Sequence, residues 1–86
     1  MTYTYAPKGV CSVKITLNIS DDDIIESVSF MGGCNGNLQG VSRLVAGRRV
    51  DDVINTLSGI KCGMKSTSCP DQLAQALRKY KADKGE

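Results

Sequence analysis

The sequence predicts an α+β fold of two layers, an antiparallel β-hairpin or small sheet covered by three helices in the order β-β-α-α-α. Three observations carry that expectation: a stretch beginning at Cys11 that alternates apolar and polar, an aspartate triplet that reverses the chain, and a second half whose apolar residues recur at helical spacing. Over residues 11–19 the alternation sets Cys11, Val13, Ile15, Leu17 and Ile19 on one face and Ser12, Lys14, Thr16 and Asn18 on the other. A period of two is that of a half-buried strand. Asp21-Asp22-Asp23 reads as the turn, because aspartates bond their own backbone and disfavour strands; a hard-cation site is the rival reading. Residues 24–31 form the returning strand, and the adjacent Ile24 and Ile25 invite a bulge.

Gly32-Gly33-Cys34-Asn35-Gly36 breaks the strand and leads into the first helix. It precedes a helix as a phosphate loop does, but lacks the Gly-Lys-Ser/Thr ending and is read as backbone that wraps an ion. Leu38, Val41, Leu44 and Val45 then recur at helical spacing, and Gly47 falls where a left-handed C-terminal cap belongs. A second helix covers residues 51–57, with Val53, Ile54 and Leu57 inward and Gly59 ending it. Residues 60–68 form a loop. The third helix starts at Cys69-Pro70, since proline is favoured at the first helical position. Leu73, Ala76, Leu77 and Tyr80 form its inner stripe, and the chain beyond Ala82 is expected to fray. A lone hairpin is marginal, so residues 3–10 are expected to add an edge strand, or a second copy of the chain to complete the sheet. One domain spans residues 1–86, its ordered core about 5–81.

At 86 residues with only four aromatics, the chain has room for one modest core. Domains of this size commonly lean on a metal, a disulfide or a partner subunit. No apolar run is long enough for a signal peptide or a membrane span, so the expected setting is the reducing cytoplasm, away from membranes. Cysteines there point to metal or redox work rather than a disulfide framework. The net charge of +2 is spread along the chain. Its one basic cluster, Arg78, Lys79, Lys81 and Lys84, lacks the density and aromatic interleaving of a nucleic-acid patch and reads as the solvated end of a helix. With no histidine and no evident pair of buried acids, no general base presents itself.

The four cysteines, Cys11, Cys34, Cys62 and Cys69, therefore dominate the functional reading. Each sits at an element end or in a loop. Antiparallel pairing brings Cys11 and Cys34 to the end of the hairpin opposite the aspartate turn, and Cys62 and Cys69 are close along the chain. Cys34 and Cys69 stand at helix starts, where the dipole and free N–H groups favour a negatively charged sulfur. Four such sulfurs make a closed tetrahedral zinc site. The spacing C-x22-C-x27-C-x6-C contains no CxxC knuckle, so a redox pair of Cys62 and Cys69, or buried thiols without chemistry, stay open beside the metal. Asp71, just inside the third helix, complements the helix dipole; an outer-shell or ligand role is the lesser reading.

The run Thr67-Ser68-Cys69-Pro70-Asp71, together with "PKGVCS", "GGCNGNLQGVSRLVAG" and "IKCGMKSTSCPDQLAQAL", resembles the TSCPD domain family from Tyr5 to about Tyr80. The resemblance implies that the cysteines hold a metal. It also implies a link to ribonucleotide reduction, because the domain occurs at the C-terminus of adenosylcobalamin-dependent ribonucleotide reductases. Adenosylcobalamin belongs to those larger enzymes: this chain is too short for their catalytic barrel with its nucleotide and cobalamin sites. The expectation is thus a non-enzymatic zinc module accessory to deoxyribonucleotide synthesis, with a reductase or another protein as partner. The rival is a thiol-redox accessory of ribonucleoside-diphosphate reductase acting through Cys62 and Cys69. More distantly, the cysteine before a strand, the hairpin, "F-x-G-G-C" and the cysteine before "LAQAL" resemble U-type iron–sulfur cluster scaffold proteins, whose three cluster ligands would fall on Cys11, Cys34 and Cys69. Cys62 is extra to that pattern, and a fourth thiolate closes the position that cluster transfer needs.

Overall fold

A computed structural model describes the whole chain except Cys11, Cys34 and Glu86, and of Asn35 the backbone only. Three strands, β1 (Thr2–Tyr5), β2 (Ser12–Ile19) and β3 (Ile25–Gly32), form an antiparallel sheet in the order β1-β2-β3. Three helices follow: α1 (Asn35–Val45), α2 (Val50–Leu57) and α3 (Cys69–Asp83). The expected α+β architecture is present, with β1 supplying the edge strand.

β2 is the centre of the sheet, and Ile15, Leu17 and Ile19 are completely buried. Its alternation fails at one point. Ser12 pairs with Gly32 but Lys14 with Met31, so Val13 is an extra residue on β2. Such a bulge exchanges the faces of the residues before it. Val13, predicted to point inward, is 61% exposed, whereas Ser12, predicted to face solvent, is 2% exposed. A second irregularity places the extra residue Glu26 on β3, one position beyond the adjacent isoleucines that suggested a bulge.

The helices cover one face of the sheet. Leu73, Ala76, Leu77 and Tyr80 of α3 meet the buried residues of β2, together with Val50, Val53 and Ile54 of α2 and Ile25 and Val28 of β3. α1 lies beside β3, and α2 packs on α3. Leu44 shares the spacing of the inward α1 residues yet is 75% exposed. Gly47 (φ 84°) turns the chain after α1, and its N–H donates to the Ile25 carbonyl at 2.7 Å while Ile25 N–H donates to the Arg48 carbonyl at 2.8 Å. The α1–α2 turn thereby fastens to the start of β3. Regular structure begins with β1 at Thr2 and ends with α3 at Asp83, one residue past the Ala82 beyond which fraying is expected.

Candidate metal centre

The loop between α2 and α3 is built by short-range bonds. Cys62 N–H donates to the Thr67 carbonyl at 3.1 Å, and Lys65 N–H donates back to the Cys62 carbonyl at 3.0 Å, with Gly63 (φ 57°) in the turn. Both ends of a small ring are thus held, leaving Met64 fully exposed at its tip. Ser68 caps α3: its hydroxyl accepts from Asp71 N–H at 3.2 Å and donates to the Ile60 carbonyl at 2.7 Å. A capping hydroxyl satisfies one of the N–H groups that the first helical turn leaves without partners. Pro70 needs no such partner and is pre-set for the first turn.

Asp71 works on the loop rather than on an ion. Gly59 N–H donates to its Oδ1 at 2.7 Å and the Thr67 hydroxyl donates to its Oδ2. The Thr67 bond first, then the Gly59 bond, hold the Asp71 carboxyl below its usual range, against the opposing effect of burial. Both oxygens are engaged by the protein, which argues against the ligand role considered from sequence. Gln72 extends the network: its Nε2 donates to Thr67 Oγ1 at 3.0 Å, and its Oε1 accepts from Lys8 N–H at 3.0 Å. A Cβ at Gly9 would stand 3.3 Å from the Thr67 methyl. The segment leading to Cys11 is therefore fastened to the segment leading to Cys69.

Two of the four predicted ligands can be placed directly. Cys69 is half-buried at the start of α3, and Cys62 is exposed in the loop before it. Both line a hollow of about 500 Å³ whose other wall includes Gly36, Leu38 and Val41 of α1. Cys11 and Cys34 lie outside the described residues, but their neighbours are described. Ser12, next to Cys11, pairs with Gly32, and its Oγ is 3.3 Å from Cys69 Sγ. A Cβ on Gly33, next to Cys34, would meet Ser12 N at 3.2 Å and Leu38 Cδ1 at 2.8 Å. Gly33 also has φ 81°, so glycine is required there twice over, by conformation and by space. Among the described residues no three cysteines or acids form a metal-binding group. The chain has no histidine, and both Asp71 carboxylate oxygens are engaged by the protein.

Residues 1–81 match the TSCPD domain. The chain belongs to the TSCPD domain family. No curated protein and no solved structure gives a significant match. In this TSCPD protein the five residues of the motif divide the work: Thr67 and Asp71 lock the loop, Ser68 caps the helix, Pro70 starts it, and Cys69 is left facing the hollow. Among the described residues no helix is long and apolar enough to cross a membrane. Sequence reasoning missed Ser12 and Gln72. The first is turned inward by the bulge; the second acts across 64 positions of chain, which no local pattern reports.

Proposed function

We propose that this TSCPD protein is a four-sulfur metal module, holding one zinc ion through Cys11, Cys34, Cys62 and Cys69, and that it acts as a binding or supporting component rather than as an enzyme. The observation that carries the reading is the meeting of the described flanks of all four cysteines at one end of the sheet: Ser12 against Gly32 and Gly33, and Ser12 Oγ against Cys69 Sγ, beside the hollow shared with Cys62. The donor chemistry fits, since thiolates suit zinc and a closed set of four gives a structural site. Such an ion cross-links elements from both halves of the chain and adds rigidity where the apolar core ends. A role beside ribonucleotide reduction, with a reductase as protein partner, rests on the resemblance to the domain carried by the larger reductases.

The exposure of Cys62 favours one second reading, a thiol-redox accessory in which Cys62 and Cys69 form the working pair. Metal content separates the two. Protein purified without oxygen or added metal is expected to carry one zinc per chain by elemental analysis and native mass spectrometry, and to release four titratable thiols on chelation. A metal-free chain with Cys62 and Cys69 cycling between dithiol and disulfide would overturn the zinc module in favour of the redox accessory. Visible absorption with bound iron and sulfide would instead establish an iron–sulfur carrier.

A further inference from the structure

Ser12 is a hydroxyl in an apolar place. The bulge at Val13 turns it inward, where it is as buried as Tyr80. A buried hydroxyl without a partner costs about 1–3 kcal/mol, and among the described residues the only side-chain partner of Ser12 is the sulfur of Cys69, 3.3 Å away. A neutral thiol is a weak acceptor. If it donated to Ser12 instead, the serine proton would need another acceptor, and none of the described residues provides one. A metal-bound sulfur removes the ambiguity: it carries no proton, it is negatively charged, and bonds to charged acceptors are stronger.

The geometry points to Ser12 as a positioning residue of the metal centre, donating its hydroxyl hydrogen bond to the coordinated sulfur of Cys69. This rests on the four-sulfur reading above. The bond fixes the direction of the sulfur lone pairs and withdraws charge from them, so that Cys69 holds the ion in one orientation and is a poorer electron donor than an unbonded thiolate. Partners of this kind, which touch the ligand and not the metal, alter metal affinity by about 10-fold to 100-fold when removed. The bulge then has a function: were Val13 paired in regular register instead of bulged, residue 12 would face away from α3 and the sulfur would be unsupported.

The test uses cobalt(II) as an optical substitute for zinc in the full chain, with wild type, Ser12→Ala and Ser12→Thr compared. Wild type is expected to show the intense sulfur-to-cobalt charge-transfer absorption of a tetrahedral four-sulfur site. Ser12→Ala is expected to bind about 10-fold more weakly, with the charge-transfer bands moved to lower energy because the sulfur electrons are less stabilised; Ser12→Thr, which keeps the hydroxyl, is expected to restore the band positions. Unchanged bands and affinity in Ser12→Ala would overturn the Ser12 role while leaving the four-sulfur site standing. Failure of wild type to bind cobalt would overturn both. Should the variants not fold, cadmium-113 NMR on the wild type decides: a hydroxyl proton of Ser12 coupled to cadmium through Cys69 is expected, and its absence would sink the assignment.

Discussion

The two ends of the sheet are closed by different means. At the aspartate turn, the protein satisfies itself. Asp23 holds a left-handed backbone (φ 60°) and its carboxylate accepts from the Tyr80 hydroxyl at 2.9 Å and from Lys84 Nζ at 2.7 Å. Its carbonyl accepts from Val50 N–H at 2.9 Å. Tyr3 and Tyr80 meet edge to face at 5.8 Å, and the Tyr3 hydroxyl donates to Asp83 at 2.7 Å. The triplet that offered a cation site from sequence is thus a turn whose inward carboxylate already has a lysine beside it. At the cysteine end, the loops are fastened to one another by Thr67, Asp71 and Gln72, while the described sulfurs have one contact, that of Cys69 with Ser12 Oγ at 3.3 Å. One end is closed by side chains that pair with one another; the other is the end where we propose that a zinc ion does the closing.

Removing the proposed zinc is the sharpest way to break that contrast and the largest effect expected. Structural zinc in small domains is worth about 10–16 kcal/mol, against a typical whole-domain stability of about 5–15 kcal/mol. Chelation should therefore abolish cooperative unfolding in calorimetry; an unchanged transition would show that the cysteine end stands without an ion. Next come two glycines of nearly equal φ. Gly33→Ala combines a left-handed backbone with contact on Ser12 and Leu38, and is expected to cost about 3 kcal/mol from strain and crowding together. Gly47→Ala has the same backbone but open space, and should cost only about 1 kcal/mol. Urea titrations of the pair measure the difference; equal costs would mean that the cysteine end is not tightly packed.

Asp71→Ala is expected to cost about 2 kcal/mol, from two lost bonds to a buried carboxylate, with hydrogen exchange accelerated in residues 59–67. The Asp71 and Asp23 carboxyls are both held below their ordinary value, Asp23 mainly by Lys84 and then Tyr80. A depressed carboxyl contributes stability that is complete above its unfolded value near 3.9 and is lost as pH falls through the folded one. Acid unfolding below about pH 4 should thus be blunted in Asp71→Ala and in Asp23→Ala. Smallest is the alkaline effect. Burial, then the bond to Asp83, raise the Tyr3 hydroxyl to about 12. That contribution is complete below about pH 10, the unfolded value, and fades as pH rises through 12. A tyrosinate absorbance titration should lose its latest step in Tyr3→Phe; an unaltered curve would show that the Tyr3–Asp83 contact does not persist in solution.

The parts of the fold governed by local periodicity were legible. Ile15, Leu17 and Ile19, the stripe of α3 and the Cys69-Pro70 helix start follow from spacing and from proline chemistry. What escaped were events that spacing does not encode. The bulge at Val13 is a choice of the backbone, hinted at only by the paired glycines opposite it, Gly32 (φ 79°) and Gly33. Leu44 has helical spacing, but which arc of α1 faces the protein depends on where β3 lies. In the candidate site, the cysteines and the Thr67-to-Asp71 run stood out as residue types, while the assignment of Asp71 to the loop needed the positions of Gly59 and Thr67.

α3 reaches back to the earliest parts of the chain: Tyr80 bonds Asp23 across 57 positions, Gln72 bonds Lys8 across 64, and Asp83 accepts from Tyr3 across 80. It also supplies Leu73, Ala76, Leu77 and Tyr80 to the core. During synthesis, at about 5–20 residues per second, the strands and the first two helices emerge before the element that covers them. The apolar face of the nascent sheet lies bare for that interval, and Cys69 is the last of the four thiols to leave the ribosome. The sheet thus gains the cover of α3, and its fourth thiol, only once residues 69–83 have left the ribosome.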